Sequence, residues 1–120
     1  MEKLTQQEED AMQAVWKAGE GNVKSFMAFL DEPLPPYTTL ASTIKNLEKK
    51  GYVQSRMIGN AYLYAPAISE EAYKQKFLGG VVKDYFENSY KEMVNFFVEK
   101  NKISADELKE ILGLIEGKKS

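Results

Sequence analysis

Between positions 37 and 65 the chain reads YTTLASTIKNLEKKGYVQSRMIGNAYLYA, and few folds accommodate that order of signals. Leu40, Ile44 and Leu47 recur at steps of four and three, so they share one face of a helix. Thr38, Thr39, Ser42, Thr43, Lys45, Asn46, Lys49 and Lys50 flank that stripe. Gly51 stops the helix where positive φ is wanted, and the lysine pair occupies the last turn, where the helix dipole favours cations. Residues 52–57 and 61–65 follow as strand candidates, aromatic and β-branched, joined around Gly59-Asn60 as a hairpin turn. Helix, glycine, strand, tight turn, strand is the outline of a recognition helix with a β-wing. Hydroxyl, amide and lysine side chains around an apolar spine suit a major groove, where they reach phosphates and base edges. The competing reading is a solvated helix face beside an ordinary hairpin.

The remaining segments extend this outline. Thr5 and Glu8 form a capping box at the head of a first helix that closes near Gly19, with Leu4 as a staple. Ala11, Met12, Val15 and Trp16 are its inward stripe, which makes Trp16 a core residue. Gly19-Glu20-Gly21 is a turn, and Asn22 caps a shorter helix running from Val23 to about Leu30. The prolines at 33, 35 and 36 then end any helix.

After Pro66 the pattern changes. Ser69 caps a long helix with Tyr73, Phe77, Val81 and Tyr85 spaced by four, and with Leu78, Val82 and Phe86 beside them. Gly79-Gly80 marks either close helix approach or a bend. Asn88-Ser89 reads as a break, before a fifth helix with Tyr90, Met93, Val94, Phe97 and Val98 on one face. Ser104 with Glu107, and Ile103 with Leu108, combine a capping box and a staple at the head of a last helix striped by Leu108, Ile111, Leu112 and Ile115. Helices in a segment of this size cannot bury so many apolar side chains by themselves. The economical closure is a second copy, which also supplies two DNA half-sites; the alternative is a core shared with the N-terminal half. The expected fold is thus mainly α with a small β-hairpin: a winged helix-turn-helix over 1–66 and a three-helix dimerisation region over 67–120.

Composition narrows the functions. The chain contains neither cysteine nor histidine, which removes disulfides, thiolate metal sites and the commonest general base, so no metal or cofactor is expected. Its carboxylates sit on helix exteriors at spacings of any solvated face, so no enzyme is expected. There is no signal peptide or membrane-length apolar run, which points to a cytoplasmic protein without membrane insertion. Net charge is −2, unusual for a nucleic-acid binder. Within 33–65, however, Lys45, Lys49, Lys50 and Arg56 stand against Glu48 alone, net +3. A patch that small implies modest non-specific affinity and a reliance on two copies.

In this order and spacing the segments resemble the penicillinase-repressor family of winged-helix transcriptional regulators, over essentially the full length. Leu4-Thr5, Glu8 and Trp16 match the family's first helix. Thr38-Thr39-Leu40 through Ile44, Leu47 and Lys49-Lys50-Gly51 match its recognition helix, and Arg56 with Tyr62, Tyr64 and Pro66 matches the wing. The resemblance implies a homodimeric repressor of a resistance-type operon, bound to a palindromic double-stranded operator. Thr38, Thr39, Ser42 and Lys45 would face the groove, with Arg56 and Asn60 on the backbone. It also brings in a membrane sensor protease as a partner, because antibiotic-sensing members are cut between Asn and Phe in the fifth helix. Asn95-Phe96 is present here, yet alignment through Lys91 and Ile103 places that bond at Phe96-Phe97. The alternative is that both phenylalanines are core. Copper sensing through C-terminal cysteines is out. A ligand-sensing repressor with a pocket in the aromatic half stays open. Against all of these stands a winged-helix protein-interaction module that ignores DNA.

Overall fold

The computed structural model describes residues 3–118, except for the side chains of Leu112 and of 114–118. The chain divides into two compact units, with the cut between Tyr73 and Lys74.

The first unit holds α1 (Gln6–Ala18), α2 (Val23–Met27), α3 (Tyr37–Lys49), β1 (Val53–Ile58), β2 (Ala61–Pro66) and the start of α4 (Glu70–Tyr85). Its centre is built from Met12 and Val15 of α1, Phe26 of α2, and Ile44 and Leu47 of α3, all fully buried. Three short helices contribute one stripe each, and the resulting core excludes water from every stripe at once. The α1 capping box forms as the sequence dictates: the Glu8 amide donates to Thr5 Oγ1 at 3.2 Å and the Thr5 amide donates to Glu8 Oε1 at 2.9 Å. Asn22 caps α2 by accepting from the Ser25 amide at 2.8 Å. α2 is shorter than its apolar run suggests. Past Met27 the chain tightens into i to i+3 bonds, from the Phe29 amide to the Phe26 carbonyl and from the Leu30 amide to the Met27 carbonyl, before the prolines intervene.

The end of α3 sets the position of the hairpin that follows it. Gly51 at φ +86° lets its own amide reach the Glu48 carbonyl (3.0 Å) and the Tyr52 amide reach the Leu47 carbonyl (2.9 Å). This is a Schellman closure, available here because glycine has no Cβ to oppose positive φ. The chain leaves it directly into β1, which pairs antiparallel with β2 from Val53 opposite Pro66 to Ile58 opposite Ala61. Gly59 at φ +60° makes the turn. A single bridge adds Gly21 to the free edge of β2: its amide donates to the Tyr64 carbonyl at 3.0 Å and the Tyr64 amide returns the bond at 2.8 Å. The turn after α1 is thereby sewn to the wing.

Trp16 is half-buried and donates from Nε1 to the Ile68 carbonyl at 2.9 Å. Beside it lies Tyr73, with ring centroids 5.3 Å from Trp16 and 5.9 Å from Tyr52, and its hydroxyl donates to Glu9 Oε1 at 2.6 Å. Burial and that carboxylate push the Tyr73 hydroxyl far above the ordinary tyrosine range. Tyr73, one of the residues expected at a dimer surface, thus places its ring in the first unit's aromatic corner.

The second unit holds the rest of α4, α5 (Tyr90–Glu99) and α6 (Ala105–Lys118). α4 runs unbroken through Gly79-Gly80. A methyl at Gly79 would meet the Tyr90 hydroxyl only at 3.9 Å, and one at Gly80 would meet nothing within 4 Å among the described residues, so packing among these demands neither glycine. Glu87 and Asn88 take positive φ and break the helix, and Ser89 caps α5 through the Glu92 amide. Asn101 (φ +57°) repeats the Schellman closure at the end of α5, with the Lys102 amide on the Phe97 carbonyl and the Asn101 amide on the Val98 carbonyl. Ser104 and Glu107 then form the second capping box, both bonds 3.1 Å.

Among the described residues of this unit only Val82 is a buried hydrophobic. Of the side chains expected at a dimer surface, Phe77, Tyr85, Tyr90, Phe97 and Ile111 are exposed, while Val81, Met93, Val94 and Leu108 are half-buried. Leu112 and Ile115 lie outside the described side chains. Asn95 and Phe96 of the candidate cleavage site are exposed too, so Phe96 and Phe97 are not core residues of the protomer. Their rings stack edge-on at 5.7 Å, and Phe96 meets Phe86 at the same separation. No helix among the described residues is long and apolar enough to cross a membrane.

Candidate nucleic-acid interface

The amphipathic period of α3 decides which of its side chains meet solvent. With Leu40, Ile44 and Leu47 turned into the core, Thr38, Ser42, Lys45, Asn46 and Lys49 stand exposed on the opposite side, and Thr39 is half-buried at its border. Three of these carry hydroxyls, one an amide and two ammonium groups. They form a continuous face whose donors and acceptors match base edges and phosphates.

Two residues assigned to that face from the sequence do not belong on it. Thr43 is only 6% exposed, and its hydroxyl donates to the Thr39 carbonyl at 2.9 Å. Three residues after Leu40 and four before Leu47, it falls on the inner half of the helical wheel; a hydroxyl there is satisfied by back-bonding to the turn before it. Lys50 bends towards α1 instead of outwards. Its Nζ donates to Glu8 Oε1 at 2.7 Å and to the Lys3 carbonyl at 3.2 Å, with only 20% of the side chain exposed. Burial pushes the Glu8 carboxyl up, but the hydrogen bonds from Lys50 and Thr5 outweigh it and hold its pKa below the ordinary value. Glu8 thus caps α1 and anchors the end of α3 together. The ammonium of Lys50 is committed to the fold.

The wing carries the remaining candidate residues. Asn60 is exposed at the turn, next to Gly59. Arg56 lies on β1 opposite Leu63 and is exposed, but its guanidinium is already occupied: Nε donates to Glu20 Oε2 and an Nη to Glu20 Oε1, both at 2.8 Å. Glu48, the acid within α3, accepts from the Ser55 hydroxyl of β1. Of the four cations in the positive stretch, Lys45 and Lys49 are exposed and pair with no acid among the described residues, while Lys50 and Arg56 face carboxylates. Sequence reasoning missed Glu20, since nothing local ties it to a strand 36 residues onward. It also missed the apolar character of the wing's outer part, where Met57, Ile58 and Tyr62 are each about half exposed. Met57 and Tyr62 share the hairpin face of the buried Val53 and Tyr64 but lie at its far end, beside the turn, and no alternation in the sequence records that. Among the described residues no group of three acidic, histidine or cysteine side chains could hold a metal.

This geometry can be set beside known proteins. The profile of the penicillinase repressor family matches residues 4–117. The penicillinase repressor of Bacillus licheniformis is 22% identical over 119 residues, covering 98% of this chain and 93% of that protein. The match includes both units, the α3 face and the wing. On that full-length agreement the chain belongs to the penicillinase repressor family, DNA-binding transcriptional regulators rather than enzymes.

Proposed function

We propose that the protein works in the cytoplasm as a homodimer that represses transcription from a palindromic operator. Residues 1–66 read one half-site each, and residues 67–120 join the copies. Helix 38–50 enters the major groove and wing 52–65 lies along the backbone. Thr38, Thr39, Ser42 and Asn46 face base edges, with threonine methyls available to thymine; Lys45 and Lys49 take phosphates. The observation that carries this reading is the outward polar face of α3, rigidly backed by the buried Leu40, Ile44 and Leu47. Support for the second copy comes from the exposed aromatic and aliphatic side chains of α4, α5 and α6, an apolar surface that a soluble protomer rarely leaves in water. Likeness to a penicillinase repressor favours an operon of resistance type. The family resemblance adds release by a membrane sensor protease, for which Asn95-Phe96 and, by alignment, Phe96-Phe97 are the candidate bonds, all three residues being exposed on α5.

The test is titration of the protein onto a palindromic duplex selected from a random pool, at two salt concentrations. Binding should weaken steeply with salt, with a logarithmic slope of about −0.9 per phosphate contacted. Ser42→Glu places a carboxylate in the groove and should cost at least roughly tenfold in affinity. Sedimentation of the wild type should give a dimer, and Phe97→Asp should release protomers. Salt-independent binding, or an indifferent Ser42→Glu, excludes the reading.

One set of observations favours a second reading, a module that docks another protein. Two of four cations are paired with acids, and Met57, Ile58 and Tyr62 give the wing an apolar surface. In that case the wild type ignores every duplex at physiological salt.

A further inference from the structure

We propose that Glu20 is a built-in competitor of the DNA backbone: its carboxylate occupies one edge of the Arg56 guanidinium, and a phosphate can use that edge only by displacing it. The inference rests on Arg56 as a backbone contact of the proposed repressor. Both nitrogens of the fork donate at 2.8 Å, one to each oxygen of Glu20. A carboxylate held in this bidentate way uses the same fork that a phosphate would use. The two ligands are therefore exclusive on that edge of the group.

The clamp is placed by the backbone and not by chance reach of a long side chain. Gly19 at φ +83° ends α1, and Gly21 is fixed to Tyr64 by two hydrogen bonds, so Glu20 is held between them at the margin of β2. Across β2, the register puts Arg56 opposite Leu63, on the face it shares with Ala65. Ser55 and Tyr64 point the other way, and Tyr64 is buried. Arg56 and Glu20 thus meet on the solvent side of the wing, where a duplex could approach. The pair is open to water, with 61% of the Arg56 side chain and 39% of the Glu20 side chain exposed. Exposed pairs of this kind are weak and exchangeable, which suits a competitor and would be poor design for a structural staple. Direct pairing with Arg56 holds the Glu20 carboxyl below its ordinary pKa. Its consequence is a lower affinity of the wing for any phosphate backbone. Discrimination is thereby left to α3.

The experiment is a double-mutant cycle on duplex affinity with full-length protein and a palindromic duplex selected from a random pool. Glu20→Gln should bind roughly two- to fivefold tighter at low salt, with a salt slope steeper by up to about one, because freed Arg56 no longer trades one anion for another. Removing an acid also raises net charge, so the decisive arm is the same substitution in an Arg56→Gln background. There the gain should vanish, whereas a general charge effect would persist. Glu20→Gln lies on the surface, and an unchanged thermal midpoint shows that the fold is intact. Equal or weaker binding by Glu20→Gln, or a gain that survives Arg56→Gln, overturns the proposal while leaving the operator reading in place. A wild type that binds no duplex overturns the operator reading itself, and the competitor role falls with it.

Discussion

The two compact units use apolar residues in opposite ways. The first folds its stripes inward until Met12, Val15, Phe26, Ile44 and Leu47 lose all contact with water. The second has helices just as rich in aromatic and aliphatic side chains, yet Val82 is its one buried hydrophobic among the described residues, and Tyr85 is 78% exposed. Both units possess sound local design, with capping boxes at Thr5 and Ser104 and Schellman closures at Gly51 and Asn101. Local signals therefore do not tell which helices complete a core within the protomer. Helix number and geometry do: α1, α2 and α3 present stripes that converge, backed by a hairpin, whereas the helices of the second unit, among the described side chains, present more apolar surface than they mutually cover.

This contrast can be broken most directly in the cores. Phe26→Ala should cost about 3–5 kcal/mol of the first unit's stability, read by urea unfolding at fixed protein concentration. Tyr85→Ala should cost about 0.5 kcal/mol or less in the protomer, with any larger loss appearing only as a dependence on protein concentration. If the two variants prove equally damaging in dilute protein, the second unit has a core of its own and the contrast fails.

A smaller effect sharpens the account of α1 against α3. Glu8→Gln leaves the Lys50 ammonium in a half-buried site without its counter-charge, for a loss of about 1–2 kcal/mol. The pH dependence has a definite sign. The Glu8 pKa is depressed on folding, so its contribution is present above the ordinary carboxylate value of 4.5 and disappears as pH falls through the lower folded value. Wild type should lose stability in that acid window relative to Glu8→Gln, measured by thermal midpoints across pH. Parallel curves for the two proteins would show that the pair contributes nothing.

The smallest effect compares the two capping boxes. Thr5→Ala should lower the stability of the whole first unit by about 1 kcal/mol, because α1 is one wall of its core. Ser104→Ala removes the same bonds from α6 but should change only local helicity, seen as faster amide exchange near residues 105–108 with the main unfolding transition unmoved. A shift of the main transition by Ser104→Ala would mean that α6 is integrated as firmly as α1.

Much of this molecule was legible in the order of its residues. The caps, the glycine that ends α3, the hairpin turn at Gly59-Asn60 and the break at Asn88-Ser89 are all local events, settled by bonds and steric limits within a few positions. The outward set Thr38, Ser42, Lys45, Asn46 and Lys49 followed from the same logic, because three buried residues fix the phase of a helix. Thr43 and Lys50 could not be placed this way. Thr43 lies on the inner half of the wheel but at the edge of the stripe, where only the neighbouring elements decide how far burial extends, and Lys50 finds Glu8 across 42 positions of chain. Tertiary structure alone also joined Gly21 to Tyr64, Glu20 to Arg56 and Tyr73 to Trp16. Side chains and backbones that meet over such separations do so because the core has brought their elements together. No periodicity or motif records that meeting, and it is there that the charge available to a duplex is decided.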